Sequence, residues 1–303
     1  MTLHLAYNLV SLLIANVYLE NSLIRKAIVK IHAIQTGSVA IRPNQRQGKG
    51  TGLARLINTF LDNQWTEPLP IYVWVIEHPE GVIVIDTGET AKTAMPNYFP
   101  SWHPYFKNVK MYVTPEQEVR AQLQKMGIHP NDVRWVVLTH LHTDHAGGLH
   151  HFPKSEILVM RRAFELASGF AGKVRGFLPH HFPSWFSPKL IELSTNPFSV
   201  FPTSLNITNA KDVIVVPTSG HTDSHISVIL QDTDVSYLFA GDTSYSQQLM
   251  LSEQLDGVSL NIQEAKQTLK RIRQFTVSTP CVYLPTHDPE SIERLTKKQV
   301  VTL

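Results

Sequence analysis

The chain has little cysteine, little net charge and no repeats. Cys281 is the only cysteine among 303 residues, so an internal disulfide and a cysteine-rich zinc site are both excluded. Its place in an apolar run predicts a buried structural thiol. A formal net charge of +2 gives no electrostatic reason to expect nucleic acid as a partner. With 43% hydrophobic and 17% charged residues, the composition is that of an ordinary globular protein.

The first 28 residues differ from the rest of the sequence. Residues 3–19 are mostly apolar, but Asn8, Ser11 and Asn16 interrupt them. No basic residue precedes this stretch and no small-residue cleavage site follows it, which counts against a secretory signal peptide. The stretch is also short and polar for a membrane span. We predict an amphipathic helix packed on the body or on a partner, in a cytoplasmic protein. Weak membrane contact or an uncleaved targeting segment is the alternative.

Residues 139–148 hold a dense group of metal-binding side chains. They read THLHTDHAGG and directly follow an apolar stretch, residues 133–138, which predicts a buried strand. In an extended chain His140 and His142 point the same way, because side chains alternate. A turn after His142 would bring Asp144 and His145 to a neighbouring point. Imidazole nitrogens and carboxylate oxygens are ligands that zinc and similar ions accept, so the motif predicts two adjacent metal ions.

The H-x-H-x-D-H motif resembles the signature of the metallo-β-lactamase superfamily. Three later strands each end in a further candidate ligand, in the order that this family uses: His221, Asp242 and His287. The resemblance implies an α/β sandwich in which two mixed β-sheets stack face to face and are flanked by helices. It covers about residues 29–287, and we expect a single hydrolase domain from 29 to 303.

The same resemblance implies two divalent metal ions, for which zinc is our expectation, although such ligands also accept iron, manganese or cobalt. It assigns the first ion to His140, His142 and His221. It assigns the second ion to Asp144, His145 and His287, and it makes Asp242 the bridge between the two. Asp86, which ends a predicted strand at 82–86, would support the metal-ligand loop from outside.

Tyr245 narrows the expected reaction. It follows Asp242 by three residues, which resembles the N-acyl-homoserine lactonase (quorum-quenching) branch, where a tyrosine at this place steadies the substrate carbonyl. A phenol can donate to a developing oxyanion without carrying charge. The resemblance implies attack on a small-molecule lactone by a hydroxide that bridges the metals, with Asp144 carrying the proton to the leaving alkoxide. A glyoxalase II-like thioesterase or another small-ester hydrolase is the alternative, and Tyr245 would then be an ordinary helix-start residue.

Three further segments carry predictions that do not concern the ligands themselves. Residues 169–188 are aromatic and rich in Gly and Pro, which predicts an inserted flap over the active site or a homodimer contact. The pair His180 and His181 within it is not expected to bind metal. Apolar residues at helical spacing within 53–65 predict a helix with a core face, which could also line the pocket. Residues 29–34 and 38–41 predict a hairpin that turns at Thr36-Gly37.

Overall fold

The computed structural model describes residues 29–169, 172 and 175–302. The predicted N-terminal segment, residues 1–28, lies outside the described residues, as do positions 170, 171, 173 and 174 of the predicted flap. Among the helices that are described, none has the length and apolar character needed to cross a membrane.

Seven strands form the first sheet. They are β1 Lys30–Ile41, β2 Leu69–Glu77, β3 Val82–Ile85, β4 Val109–Tyr112, β5 Val133–Val137, β6 Glu156–Met160 and β7 Lys189–Ile191. Their order is β4-β1-β2-β3-β5-β6-β7, antiparallel from β4 to β3 and parallel from β3 to β7. Because β3 and β5 are parallel neighbours, their carboxyl ends lie side by side. Asp86 therefore lies next to the start of the histidine-rich loop.

Five strands form the second sheet. They are β8 Leu205–Asn206, β9 Val213–Pro217, β10 Ile226–Gln231, β11 Ser236–Gly241 and β12 Cys281–Pro285. Their order is β12-β11-β10-β9-β8, and the pair β11 and β12 is parallel while the others are antiparallel. This parallel pair brings Asp242 and His287, which follow its two strands, to one edge of the sheet.

Helices lie between the strands in the sequence, and several of them pack on the outer faces of the sheets. They are α1 Pro43–Arg46, α2 Gly52–Leu61, α3 Val119–Lys125, α4 Thr143–Ala146, α5 Arg161–Ser168, α6 Gln247–Leu251, α7 Ile262–Ser278 and α8 Ser291–Lys297. The sheets face each other across one apolar layer, in which Trp74 and Val137 of the first sheet join Phe239 and Leu284 of the second. Helices α3 and α5 pack on the first sheet, and α6 and α7 on the second. The predicted sandwich of two mixed sheets is confirmed.

The predicted hairpin near the start of the domain is wrong. Strand β1 continues from Lys30 to Ile41, and its pairing with β2 shifts register between Gln35 and Ser38. Gly37 has a φ of +122°, and a Cβ there would lie 2.7 Å from the carbonyl oxygen of Tyr112. The Thr-Gly pair therefore forms a β-bulge, which uses the same residue types as a turn.

The prediction that the apolar face of α2 packs on the core is also wrong. The alternative, that this face lines a pocket, is confirmed. Leu53 and Leu61 are 71% and 76% exposed. Leu56 and Phe60 instead line a cavity of about 390 Å³. The buried anchor of the helix is polar, because the Arg55 guanidinium donates to two backbone carbonyls. Helical periodicity identifies an apolar face but not the surface that the face contacts.

Candidate metal centre

The structure brings all of the predicted metal ligands together at one edge of the two sheets. They are His140 and His142 after β5, Asp144 and His145 in α4, His221 after β9, Asp242 after β11 and His287 after β12. Each is at most 9% exposed. Burying so many ionisable groups in one place is unfavourable unless each finds a compensating partner.

Three imidazoles converge on one side of this group. The Nε2 atoms of His140 and His221 each lie 3.0 Å from Nδ1 of His142. The outer nitrogen of His221, Nδ1, lies 3.2 Å from a carboxylate oxygen of Asp256, which can only accept, so Nε2 keeps its lone pair. Burial lowers the pKa of His142 to about 3 and that of His140 well below its usual value. Burial would also lower the pKa of His221, but Asp256 and Asp242 outweigh it and raise that pKa. Neutral His140 and His142 are suited to bind a metal ion, which would have to displace a proton from His221 when that ring is protonated.

A second convergence involves both carboxylates. Nε2 of His287 lies 3.4 Å from Oδ2 of Asp144 and 3.3 Å from Oδ2 of Asp242. Nε2 of His145 lies 3.1 Å from Oδ1 of Asp242, yet neither atom has a hydrogen-bond partner among the described residues. Buried polar atoms that face each other without a hydrogen bond fit a cation held between them.

Asp242 faces both groups of ligands. Its Oδ2 lies 3.5 Å from Nε2 of His221 in the first group and 3.3 Å from Nε2 of His287 in the second. Three overlapping triplets each have ligand atoms within 4.8 Å of one another: His140, His142 and His221; His140, His145 and Asp242; Asp144, His145 and His287. These clusters of imidazoles and carboxylates are suited to bind divalent metal ions.

Charge balance in the second group favours a cation. Burial alone would lower the pKa of His287, but Asp242 and Asp144 outweigh it and raise that pKa to about 10. The pKa of His145 is likewise raised well above its usual value, because Asp242 and Asp86 outweigh burial. A metal ion would take the place of the protons on these rings, so we expect its affinity to fall as the pH falls.

Asp86 holds the histidine-rich loop from outside, as the sequence predicts. Its Oδ1 accepts from the backbone N of Thr139 at 2.7 Å, and its Oδ2 lies 2.8 Å from Nδ1 of His145. Since the carboxylate accepts a hydrogen bond from Nδ1–H of His145, the other ring nitrogen, Nε2, is left to face the site. Asp86 has a φ of +62°, an uncommon conformation for a residue with a side chain.

His225 lies one step further out and supports the loop that holds Asp242. Its Nε2 accepts from the backbone N of Asp242 at 3.0 Å, and its Nδ1 lies 2.9 Å from Oγ1 of Thr218. Gly241 precedes Asp242 with a φ of +56°, and a Cβ at this position would lie 2.5 Å from Nε2 of His225. The glycine is required for the close approach of strand and ring.

Tyr245 lies beside the centre. It is buried, and its ring stacks on that of His287 with 5.6 Å between centroids. Nε2 of Gln45 lies 3.4 Å from the tyrosine hydroxyl oxygen. Burial raises the pKa of Tyr245 well above its usual value, and the negative charge of Asp242 adds to this. The hydroxyl therefore keeps its proton at neutral pH and can donate a hydrogen bond.

Two aromatic rings enclose His142. The ring of Tyr105 stacks on one side with 5.8 Å between centroids, and Phe177 of the predicted flap stacks at 5.1 Å. Sequence reasoning did not identify Tyr105 or Gln45 as site residues. The only signal for Tyr105 is its aromatic, Pro-rich surroundings at 95–113, and Gln45 carries none.

A cavity opens onto this side of the centre. Its volume is about 390 Å³, and His142 and His221 are among the residues that line it. Most of its other walls are apolar and come from four separate segments: Leu56, Phe60, Leu166, Phe177, Val258 and Leu260. Arg175 and Asp223 form an ion pair at its wall. The cavity thus joins a polar, ligand-rich end to an apolar chamber.

Residues 66–287 match the family model of the metallo-beta-lactamase superfamily. This chain belongs to that superfamily. The matched range begins before β2 and ends at His287, so it includes every candidate ligand.

Curated relatives within the superfamily are lactonases and metallo-hydrolases. AttM, an N-acyl homoserine lactonase of Azorhizobium caulinodans, is 28% identical over 140 residues, which are 46% of this chain and 48% of AttM. AiiA, the N-acyl homoserine lactonase of Bacillus thuringiensis subsp. kurstaki, is 25% identical over 230 residues, which are 73% and 82% of the two chains. The chain therefore spans about half the length of AttM and most of AiiA. It is a metallo-β-lactamase superfamily hydrolase related to enzymes that act on ester bonds.

Solved structures show the same fold. AiiA of B. thuringiensis with N-decanoyl-L-homoserine at its active site has a TM-score of 0.69 at 20% identity, covering 87% of this chain and 95% of that one. AidC, a dizinc quorum-quenching lactonase in complex with a product, has a TM-score of 0.60 at 14% identity, covering 86% and 89%. At these identities the likeness establishes the architecture of this superfamily member.

Proposed function

We propose that this hydrolase opens the lactone ring of N-acyl-homoserine lactones. The observation that carries the proposal is the mostly apolar cavity that His142 and His221 help to line. A neutral substrate with a polar ring and an acyl tail matches such a cavity, since the tail can contact the walls while the ring reaches the ligand cluster. The names of the relatives AttM and AiiA support the same substrate class.

We assign the residues of the cluster to two divalent ions, preferably zinc. One ion would be held by His140, His142 and His221, the other by Asp144, His145 and His287, with Asp242 shared between them. When bound, such ions polarise a carbonyl oxygen and lower the pKa of a water molecule toward about 7. The unpaired Nε2 of His145 and Oδ1 of Asp242 fit this assignment.

Two side chains would handle protons and charge during ring opening. Tyr245, protonated at neutral pH, donates to the carbonyl oxygen as negative charge develops there. His145 and His287 outweigh burial and hold the pKa of Asp144 below its usual range, so its carboxylate is ionised. Asp144 accepts the proton of the attacking water and passes it to the departing alkoxide oxygen.

Replacing Tyr245 with phenylalanine tests the tyrosine's role. We expect kcat to fall about 100-fold, because one donor to the oxyanion is lost, while metal content stays unchanged. Steady-state kinetics with a pH indicator would measure this. Tyr237→Phe is the control. Tyr237 is also a buried tyrosine, but its hydroxyl interacts with Lys298 and not with the candidate ligands. An unchanged kcat in Tyr245→Phe would make this residue a packing group only.

Replacing Phe60 with alanine tests the cavity. We expect KM for a decanoyl substrate to rise about tenfold, equivalent to about 1.4 kcal/mol of lost apolar contact, with little change for a butanoyl substrate. Leu61→Ala is the matched control, because Leu61 is the next residue in α2 but is 76% exposed. Equal effects on both chain lengths would show that the acyl tail binds elsewhere.

The proposed reaction itself is tested by comparing substrate classes. The purified, metal-loaded protein would be assayed on N-acyl-homoserine lactones of several chain lengths, on a thioester and on a phosphodiester. We expect lactone turnover far above the other two. Fast thioester turnover with inert lactones would instead support the glyoxalase II-like alternative, and it would leave the superfamily assignment intact.

A further inference from the structure

A second cluster of metal-binding side chains lies outside the candidate centre. It consists of Glu118, His150 and His151, whose ligand atoms lie within 4.8 Å of one another. Their side chains are 13%, 31% and 11% exposed, respectively. Glu118 directly precedes α3, and the two histidines end the 3-10 turn Gly147–His151 that follows α4. The cluster therefore joins two segments that are distant in the sequence.

The separations within the cluster suit a shared ion. Oε2 of Glu118 lies 2.6 Å from Nε2 of His151 and 3.6 Å from Nε2 of His150. Two atoms that each bind a tetrahedral zinc at about 2.0–2.1 Å lie roughly 3.3 Å apart. The two observed distances lie on either side of that value, so small side-chain rotations would satisfy both bonds.

Contacts behind the cluster orient the ligand atoms. Nδ1 of His150 lies 3.2 Å from the carbonyl oxygen of Gly147. A carbonyl can only accept, so Nδ1 carries the proton and Nε2 presents its lone pair to Glu118. Oε1 of Glu118 accepts from the backbone N of Ala91 at 2.8 Å and from Oγ1 of Thr90 at 3.0 Å. That pairing fixes the carboxylate and leaves Oε2 for the histidines.

Glu118 and His150 are in their ligand form at neutral pH, whereas Nε2 of His151 donates a hydrogen bond to Oε2 of Glu118 at 2.6 Å. Burial lowers the pKa of both His150 and His151. Burial would raise the pKa of Glu118, but hydrogen bonds from Ala91, His151 and Thr90 outweigh it and lower that pKa. A metal ion would therefore have to take the place of the hydrogen on Nε2 of His151, which can move to Nδ1 of the same ring or leave it.

We propose that Glu118, His150 and His151 form a third metal site that binds a zinc-like divalent ion, with water at the open positions. Two imidazoles and one carboxylate favour zinc or cobalt over magnesium or calcium, which prefer oxygen ligands. The ion would tie the start of α3 to the turn behind the histidine-rich loop. The site goes beyond the proposed lactonase function and does not depend on it.

The pair His180 and His181 offers a matched comparison. These residues are also adjacent in the sequence, with ring centroids 4.1 Å apart. Within the described part of the chain, however, they belong to no group with an acidic side chain at ligand distance. Comparing the two pairs therefore tests whether zinc binding requires the carboxylate or only two adjacent histidines.

The experiment is a zinc stoichiometry on the full chain. Protein dialysed against increasing ZnCl2 would be analysed for bound metal, comparing wild type, His150→Ala/His151→Ala and His180→Ala/His181→Ala. We expect the first double variant to bind one zinc ion fewer per chain, and the second to match wild type. Because the result is a difference between variants, it holds however many ions the candidate centre binds.

Glu118→Gln provides an independent test, since it keeps the shape and removes the charge. We expect zinc at this site to bind at least about tenfold more weakly in this variant. Wild-type stoichiometry and affinity in either His150→Ala/His151→Ala or Glu118→Gln would overturn the proposal. If the double variant fails to fold, Glu118→Gln decides the question alone, with added Co²⁺ as a second probe read by its visible absorption.

Discussion

Replacing Asp242 with alanine is expected to lower kcat/KM by about 1,000-fold or more and to reduce bound metal. This carboxylate is 4% exposed and faces both ligand groups, at 3.5 Å from Nε2 of His221 and 3.3 Å from Nε2 of His287. In the proposed centre, its loss would remove one ligand from each of the two ions, together with one buried negative charge. A 1,000-fold effect equals about 4 kcal/mol, which is within the several kcal/mol that metal ions contribute to charge stabilisation.

Metal content, kinetics and circular dichroism on the same preparation would show whether a lower kcat/KM comes from lost metal, from misfolding or from a slower reaction. Asp232→Ala is the matched control, because Asp232 is exposed, directly follows β10, and its carboxylate accepts from the neighbouring Thr233. Wild-type turnover and metal content in Asp242→Ala would remove Asp242 from the centre. A folded variant that binds metal but has lost activity would show that Asp242 acts in the reaction and is not needed for metal affinity.

The candidate ligands could be predicted from the sequence because each follows a strand. Parallel neighbours have their carboxyl ends at one edge of a sheet, so Asp86 after β3 meets the loop after β5, and Asp242 after β11 meets His287 after β12. Short apolar runs that end in His or Asp encode this arrangement directly. The H-x-H-x-D-H spacing carried the prediction of the first four ligands, whereas the prediction of His221, Asp242 and His287 also needed the ligand order that the family resemblance implies.

The surroundings of the centre could not be predicted in the same way. Gln45 contacts Tyr245 across 200 positions, and Asp256 reaches Nδ1 of His221 from an irregular segment. Neither residue belongs to a periodic pattern or a motif, because its place is set by how loops pack after the sheets form. The cluster of Glu118, His150 and His151 was missed for the same reason. The two histidines are visible in the sequence, but the carboxylate is 32 positions before the first.

Replacing Arg294 with methionine is expected to lower the free energy of unfolding by about 3–5 kcal/mol. Arg294 and Asp288 form an ion pair with 2.5 Å between Nη2 and Oδ2, and each side chain is 3% exposed. The guanidinium also donates to the carbonyl of Tyr283 at 3.1 Å. Removing the cation leaves the Asp288 carboxylate buried without its charged partner, which is the most unfavourable way to break such a pair.

Urea denaturation would measure this loss, with Lys297→Met as the control on the same helix. Lys297 pairs with Glu293, but both side chains are at least 60% exposed, and exposed pairs contribute little.

Asp288 directly follows His287 and also accepts from the backbone N of Gln247 at 2.9 Å, two residues after Tyr245. The buried pair therefore ties α8 to the start of α6 and to the end of β12. Equal urea midpoints for Arg294→Met and Lys297→Met would show that the pair of Arg294 and Asp288 does not stabilise the fold. The positions of His287 and Tyr245 would then depend on the sheet and on the Pro70 carbonyl, whose oxygen lies 2.8 Å from Nδ1 of His287.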